Sequence, residues 1–154
     1  MNTPLRGRVG ESGFTLTELM ITLVVASILV SIAVPAYTSQ MRKSRRTEAK
    51  SAVMDLATRE EQFFATQNSY STDPIALGYA AVGSGAAFPQ STGQYYQINV
   101  TTTAATATAP WGFVITATPA AGSPQLSDSQ CTSFSVDQTG AQTATGSLGN
   151  ACWP

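Results

Sequence analysis

The sequence predicts an α+β chain in which one long amino-terminal helix packs on a small antiparallel sheet. Three observations carry that expectation. Residues 14–36 are apolar throughout except for scattered Thr and Ser, Pro35 and one carboxylate, Glu18. Residues 49–64 then place Ala49, Ala52, Val53, Leu56, Glu60, Phe63 and Phe64 at i, i+3, i+4 spacing, one mostly apolar helical face. Beyond residue 95, hydrophobic side chains alternate in short runs, the period of half-buried strands.

Taken in chain order, residues 1–13 are short and polar and carry Arg6, Arg8 and Glu11. The 23 apolar residues that follow would span roughly 35 Å as a helix, enough to cross a bilayer core. A secretory signal has a shorter apolar stretch of about 7–15 residues and then a small-residue cleavage site. "SIA" and "VPA" offer weak sites of that kind, so plain secretion after cleavage at Ala36 is the alternative, and the length of the run favours retention in the membrane. Orientation is a conflict. Arg42, Lys43, Arg45, Arg46 and Lys50 outnumber Arg6 and Arg8, which by the positive-inside rule would leave the carboxyl end in the cytoplasm. A disulfide-bonded domain wants the opposite side.

Glu18 is the anomaly, because a charge in lipid costs about 2.5–3.5 kcal/mol on insertion scales. Thr15 to Glu18 has capping-box spacing, but capping does not require a charge this far into an apolar face. Pro35 removes a backbone donor and clashes with the preceding turn, so it either bends the helix or stops it at the membrane edge. The apolar face at 49–64 carries the helix on to about residue 66, a rod of ~80 Å if straight. Asp55 and Arg59 stand at i, i+4 and are placed to pair. The cations between Arg42 and Lys50 read first as a solvated helix face, and DNA binding ranks third, behind the inter-subunit pairing that the family resemblance given below implies; lipid head groups are a further option.

Gly, Pro and Ser punctuate a loop over residues 68–93. "YYQINVT" turns Tyr96, Ile98 and Val100 to one side; "WGFVITAT" does the same with Phe113, Ile115 and Ala117, and "CTSFSV" with Phe134 and Val136. "DQTG", from Asp137 to Gly140, is a turn leading into a weaker last strand. Three or four antiparallel strands against one helix make an α+β roll. Cys131 and Cys152 read as one disulfide in an exported chain, with two buried thiols as the alternative.

Composition narrows the function. There is no histidine and there are two cysteines, which rules out a Cys/His zinc site, and no cofactor is expected. No G-x-S-x-G or phosphate-cradling glycine loop is present, and no histidine exists to activate either thiol, so an enzyme is not expected. Every Lys and Arg lies at or before Arg59, and beyond residue 61 the only charges are Asp73, Asp128 and Asp137. DNA affinity rests on cations neutralising phosphates, so the globular part is not expected to bind DNA.

"GFTLTELMITLVVASILVSIAVPAY" resembles the class III signal of type IV pilins and pseudopilins: a short charged leader ending in Gly, then Phe, a Glu at the fifth mature position, and a Pro at the twenty-second. The resemblance implies a leader of residues 1–13 removed by a prepilin peptidase between Gly13 and Phe14, methylation of Phe14, and a mature chain of 141 residues, 154 less 13. It further implies a transmembrane and filament-core helix over 14–36, an amphipathic helix half over 37–66 and a β-rich pilin domain over 67–154. In such a filament Glu18 compensates the amino terminus of a neighbouring subunit and Pro35 kinks the helix. "Y-x-I" at Tyr96, "F-x-I-T-A-T-P" from Phe113, "D-S-Q-C" from Asp128, "S-V-D-Q-T-G" from Ser135 and "C-W" at Cys152 are similar to PilE-type minor pilins, a group that includes ComP-like DNA-uptake pilins. The implied partners are prepilin peptidase, other pilin subunits, the inner-membrane assembly machinery and the membrane itself before assembly. The implied location is the inner membrane with a periplasmic carboxyl-terminal domain, then an extracellular pilus. A minor pilin promoting assembly, with roles in twitching motility, adhesion or DNA uptake, is the leading reading. A major pilin, a ComP-like DNA-binding pilin and a type II secretion pseudopilin are the alternatives.

Overall fold

The computed structural model describes residues 13–79 and 93–153; all but the last residue of the expected leader, 1–13, and much of the expected loop, residues 80–92, lie outside the described residues. Helix α1 covers Leu16–Gln67, 52 residues. It starts two residues after Phe14 because Thr15 caps it: the Thr15 hydroxyl accepts the Glu18 backbone N–H at 3.2 Å, and the Thr15 carbonyl accepts that of Leu19 at 3.2 Å. It ends where Asn68 turns left-handed at φ 51°, its N–H donating to the Phe64 carbonyl at 2.8 Å. Asn is among the few side chains that tolerate that conformation. Pro35 lies inside the helix, so the helix-stop reading of this residue is wrong.

The chain divides into two compact units, the first ending at Ser39 and the second running over Gln40–Pro154. In the first, the hydroxyls of Thr22, Ser27 and Ser31 donate to carbonyls three residues back at 2.7–2.8 Å, and Thr38 does so at 3.0 Å. These polar groups within the apolar stretch are satisfied by their own helix and need nothing from outside it.

The second unit holds the carboxyl-terminal part of α1 and a meander of β1 (Tyr96–Thr103), β2 (Gly112–Pro119), β3 (Ser133–Asp137) and β4 (Gln142–Thr145), paired antiparallel in that order. The register turns the alternation read in the sequence into a packed face. Ile98 opposes Ala117, which opposes Phe134; Val100 opposes Ile115, which opposes Val136. All six are buried, and with Ala49, Val53 and Leu56 of α1 they form the core, extended by Tyr96, Phe113 and both cysteines. Slipping any strand by one residue would turn this set toward water, which is what fixes the register. The predicted turn forms as Gly140, at φ +76°, donates its N–H to the Asp137 carbonyl at 2.9 Å.

Cys131 and Cys152 are disulfide-bonded with Cα atoms 5.9 Å apart, and both are buried. The bond closes a loop that contains β3 and β4, worth about 3 kcal/mol through the entropy removed from the unfolded chain. Two further ties hold the last turn, Gly149–Cys152, to the sheet edge. Trp153 Nε1 donates to the Thr143 carbonyl at 2.7 Å, and Asn150 Oδ1 accepts the Ala144 N–H at 3.0 Å. Gly146, at φ +118°, lets the returning chain pass directly over the Gln130 carbonyl, where any side chain would collide. The expected α+β architecture is thus the observed one.

Candidate functional site

Of the sequence-predicted site residues, Gly13 and Phe14 lie just before α1, and Glu18 and Pro35 lie in its amino-terminal half. Every residue from Gly13 to Gln40 is exposed, with Phe14 at 82% and Ile32 at 67%. A contiguous apolar surface of this size is a docking surface rather than a solvated one. The helix is long and apolar enough to cross a membrane.

Glu18 occupies the third position of that helix, and among the described residues its carboxylate makes no hydrogen bond or ion pair. Only half of the expected capping box forms, because the Thr15 hydroxyl does the capping and the Glu18 side chain does not reach back. A carboxylate in the first turn still interacts favourably with the helix dipole. Gly13 and Phe14 precede the helix in a non-helical, exposed stretch, an accessible backbone for a peptidase.

The second cluster, at the base of the globular unit, escaped the sequence reading. Arg46 is buried, not solvated: its Nε and Nη2 each donate to an Asp128 carboxylate oxygen at 2.7 Å, and Nη2 also donates to Gln130 Oε1 at 2.9 Å. Burial alone would raise the Asp128 carboxyl, but the Arg46 hydrogen bonds and charge, with the Gln130 and Cys131 N–H groups, outweigh it and hold the pKa below the ordinary carboxylate value. The neighbouring cations are also engaged. Arg45 lies over the Tyr95 ring at 4.3 Å, Lys50 Nζ donates to the Trp153 carbonyl at 2.8 Å, and Arg59 meets Asp55 at 3.0 Å while covering the Tyr79 ring. The Asp55–Arg59 pair is the one that the helical spacing predicted. The solvated-face reading of the basic run therefore holds for only part of it, since α1 turns Arg46 to the same side as Ala49 and Val53.

Glu60, on the apolar face, is fully buried. Its Oε2 accepts the Ser71 N–H at 3.1 Å, its Oε1 has no partner, and burial pushes the carboxyl up. It ties the chain after the helix back onto the helix. Among the described residues no cluster of three or more His, Cys, Asp or Glu side chains could hold a metal ion.

An uncovered apolar helix joined to a disulfide-closed α+β head fits a class of protein, the membrane-anchored subunit with a folded head. The family described as type IV minor pilin ComP, DNA uptake sequence receptor, matches residues 35–135, more than half of the chain, and the prokaryotic N-terminal methylation motif matches residues 8–34. Type IV major pilin protein PilA of Myxococcus xanthus (strain DK1622) is 37% identical over 68 residues, 44% of this chain and 31% of that protein. Fimbrial protein EcpC of Eikenella corrodens is 32% identical over 75 residues, 49% of either chain. The aligned regions thus span less than half the length of these relatives. The chain belongs to the type IV pilin family, with a head of the ComP-like minor pilin kind.

Proposed function

We propose that this subunit is a minor pilin that promotes assembly of a type IV pilus. The observation that carries the reading is the methylation motif over residues 8–34, which meets a helix whose apolar half the chain itself leaves wholly exposed. In this proposal prepilin peptidase removes residues 1–13 between Gly13 and Phe14 and methylates Phe14. Residues 14–36 then anchor the subunit in the inner membrane, residues 37–66 form the amphipathic half of the helix, and 67–154 form the head. The disulfide supports a head outside the cytoplasm, where such bonds persist. On extraction by the assembly machinery, the same helix joins the filament core, Glu18 meets the amino terminus of a neighbouring subunit, and Pro35 lets the helix bend or open. Intact-mass measurement of the purified mature protein tests the processing step. The expected chain begins at a methylated Phe14 and has 141 residues, 154 less the 13 of the leader; a chain beginning near Tyr37 would instead mark ordinary secretion.

A second reading, a receptor for DNA during uptake, is favoured by one observation, the description of the matching family. The charges weigh against it. Past Arg59 the head has no cation, and Arg46, the most buried of those before it, is engaged by Asp128. A protein with so few available cations is expected to show weak, sequence-independent affinity. Gel-shift titration of the detergent-solubilised protein at low salt decides the point. Tight binding that weakens steeply with added salt would promote the receptor reading over the structural one.

A further inference from the structure

At the base of the head Leu126 is exposed next to Ser127, the residue that Arg42 contacts, and no activity so far described uses them. Arg42 and Lys43 are both exposed. Arg42 makes one long hydrogen bond, Nη2 to Ser127 Oγ at 3.3 Å, and the Lys43 ammonium has no partner among the described residues. The nearby carboxylates are already committed, Glu48 to the Gly93 N–H at 3.2 Å and Asp128 to Arg46. Of the basic run, these two are the cations left to an outside partner.

Ser127 closes the short 3₁₀ turn Pro124–Ser127. That turn is held from both sides. Gln125 is fully buried and donates to the Tyr96 hydroxyl at 2.9 Å, while Asp128, next after the turn, is clamped by Arg46. Between these anchors Leu126 points outward and is 61% exposed. A bulky apolar side chain held outward by buried polar neighbours, with an exposed arginine on the adjacent Ser127, is the chemistry of an interfacial contact: the apolar group enters the head-group region while the cation meets phosphate.

We propose that this base docks the head on an anionic phospholipid surface before the subunit is assembled, with Arg42 and Lys43 on lipid phosphates and Leu126 inserted among the head groups. Charge complementarity and continuity of sequence select this occupant. Arg42 lies six residues after Ala36, the last residue that the proposed function places in the bilayer, so the inference rests on that reading. Nucleic acid fits less well, because two cations release few counterions. Docking limits the head's freedom at the membrane, and extraction into a filament must break it.

The test uses the full chain in nanodiscs of phosphatidylcholine alone or mixed with phosphatidylglycerol, read by backbone hydrogen exchange. Each cation is expected to contribute about fivefold to the docking equilibrium on the anionic surface. The amides of residues 125–128 should therefore exchange markedly more slowly in the mixed discs. Arg42→Gln with Lys43→Gln should abolish the difference, Leu126→Ser should reduce it, and exchange in β2 should stay unchanged as the control for folding. Equal exchange of the turn in both lipids, or protection that survives the double substitution, overturns the proposal. So does protection of the same amides by short duplex DNA in place of anionic lipid, which would make nucleic acid the occupant. Failure of the chain to incorporate into discs would overturn the membrane reading as well, whereas incorporation with lipid-independent exchange sinks the docking alone.

Discussion

Replacing Arg46 with alanine is expected to destabilise the head by about 3–5 kcal/mol at neutral pH, the range found when one partner of a buried ion pair is removed. The geometry supports a value of that order. The Arg46 and Asp128 side chains are only 11% and 1% exposed, and the contact is bidentate, so the variant leaves a carboxylate in the interior with no cation. A domain whose net stability is about 5–15 kcal/mol would lose a large part of it. The pH dependence identifies the cause. In the wild type the Asp128 pKa is depressed, so the stability it contributes is present above the unfolded carboxylate pKa of about 4 and is lost as pH falls through the lower folded value. In the variant, burial without a cation raises that pKa, so the variant loses stability as pH rises through the same region. Urea denaturation should therefore show the largest gap between the two proteins near neutrality and the smallest in acid. The double variant Arg46→Met, Asp128→Leu should recover most of the loss, because two apolar groups leave no buried charge. A gap that is constant from acid to neutral pH would assign the effect to lost packing of the arginine stem instead.

How much of this was legible in the sequence depends on the kind of interaction. The core was legible because it is periodic. Tyr96, Ile98 and Val100, then Phe113, Ile115 and Ala117, then Phe134 and Val136 alternate with polar residues, and the sheet pairs them on one face. The helix was legible to within two residues at its start and one at its end, where local capping by Thr15 and Asn68, not hydrophobicity, sets the limits. Pairings distant in sequence and polar in kind were not legible. Arg46 and Asp128 are 82 residues apart in the chain. One signal was available: Arg46 lies three residues before Ala49, on the line of the apolar face, and Asp128 is one of only three charges after residue 61. An arginine on a buried stripe calls for a carboxylate, and few candidates remained. Gln125, fully buried in a stretch of turn residues, offered no comparable signal.

Glu18→Ala is expected to be processed normally and yet to be nearly absent from pili. The helix start survives the change, since the Thr15 hydroxyl caps it by accepting the residue-18 backbone N–H, which alanine retains. What is lost locally is a carboxylate near the positive end of the dipole, about 0.3–1 kcal/mol. Two stronger effects then act in one direction. In the bilayer the wild-type carboxylate is a burden of about 2.5–3.5 kcal/mol wherever it is carried into hydrocarbon, so its removal stabilises the membrane-bound subunit. In the proposed filament contact the variant cannot offset the amino terminus of a neighbour, and an unpaired charge excluded from water is costly. Both shift the partition toward membrane and away from filament. Glu18→Gln separates them, since it also lightens the membrane burden but keeps a hydrogen-bond acceptor of the same length; it should assemble better than alanine and worse than the wild type. Intact mass on the membrane fraction reports cleavage at Gly13–Phe14, and immunoblotting of sheared pili reports incorporation. Alanine-variant subunits found in sheared pili at the wild-type level would show that the carboxylate is dispensable to assembly and leave its place in the apolar run to the helix dipole alone.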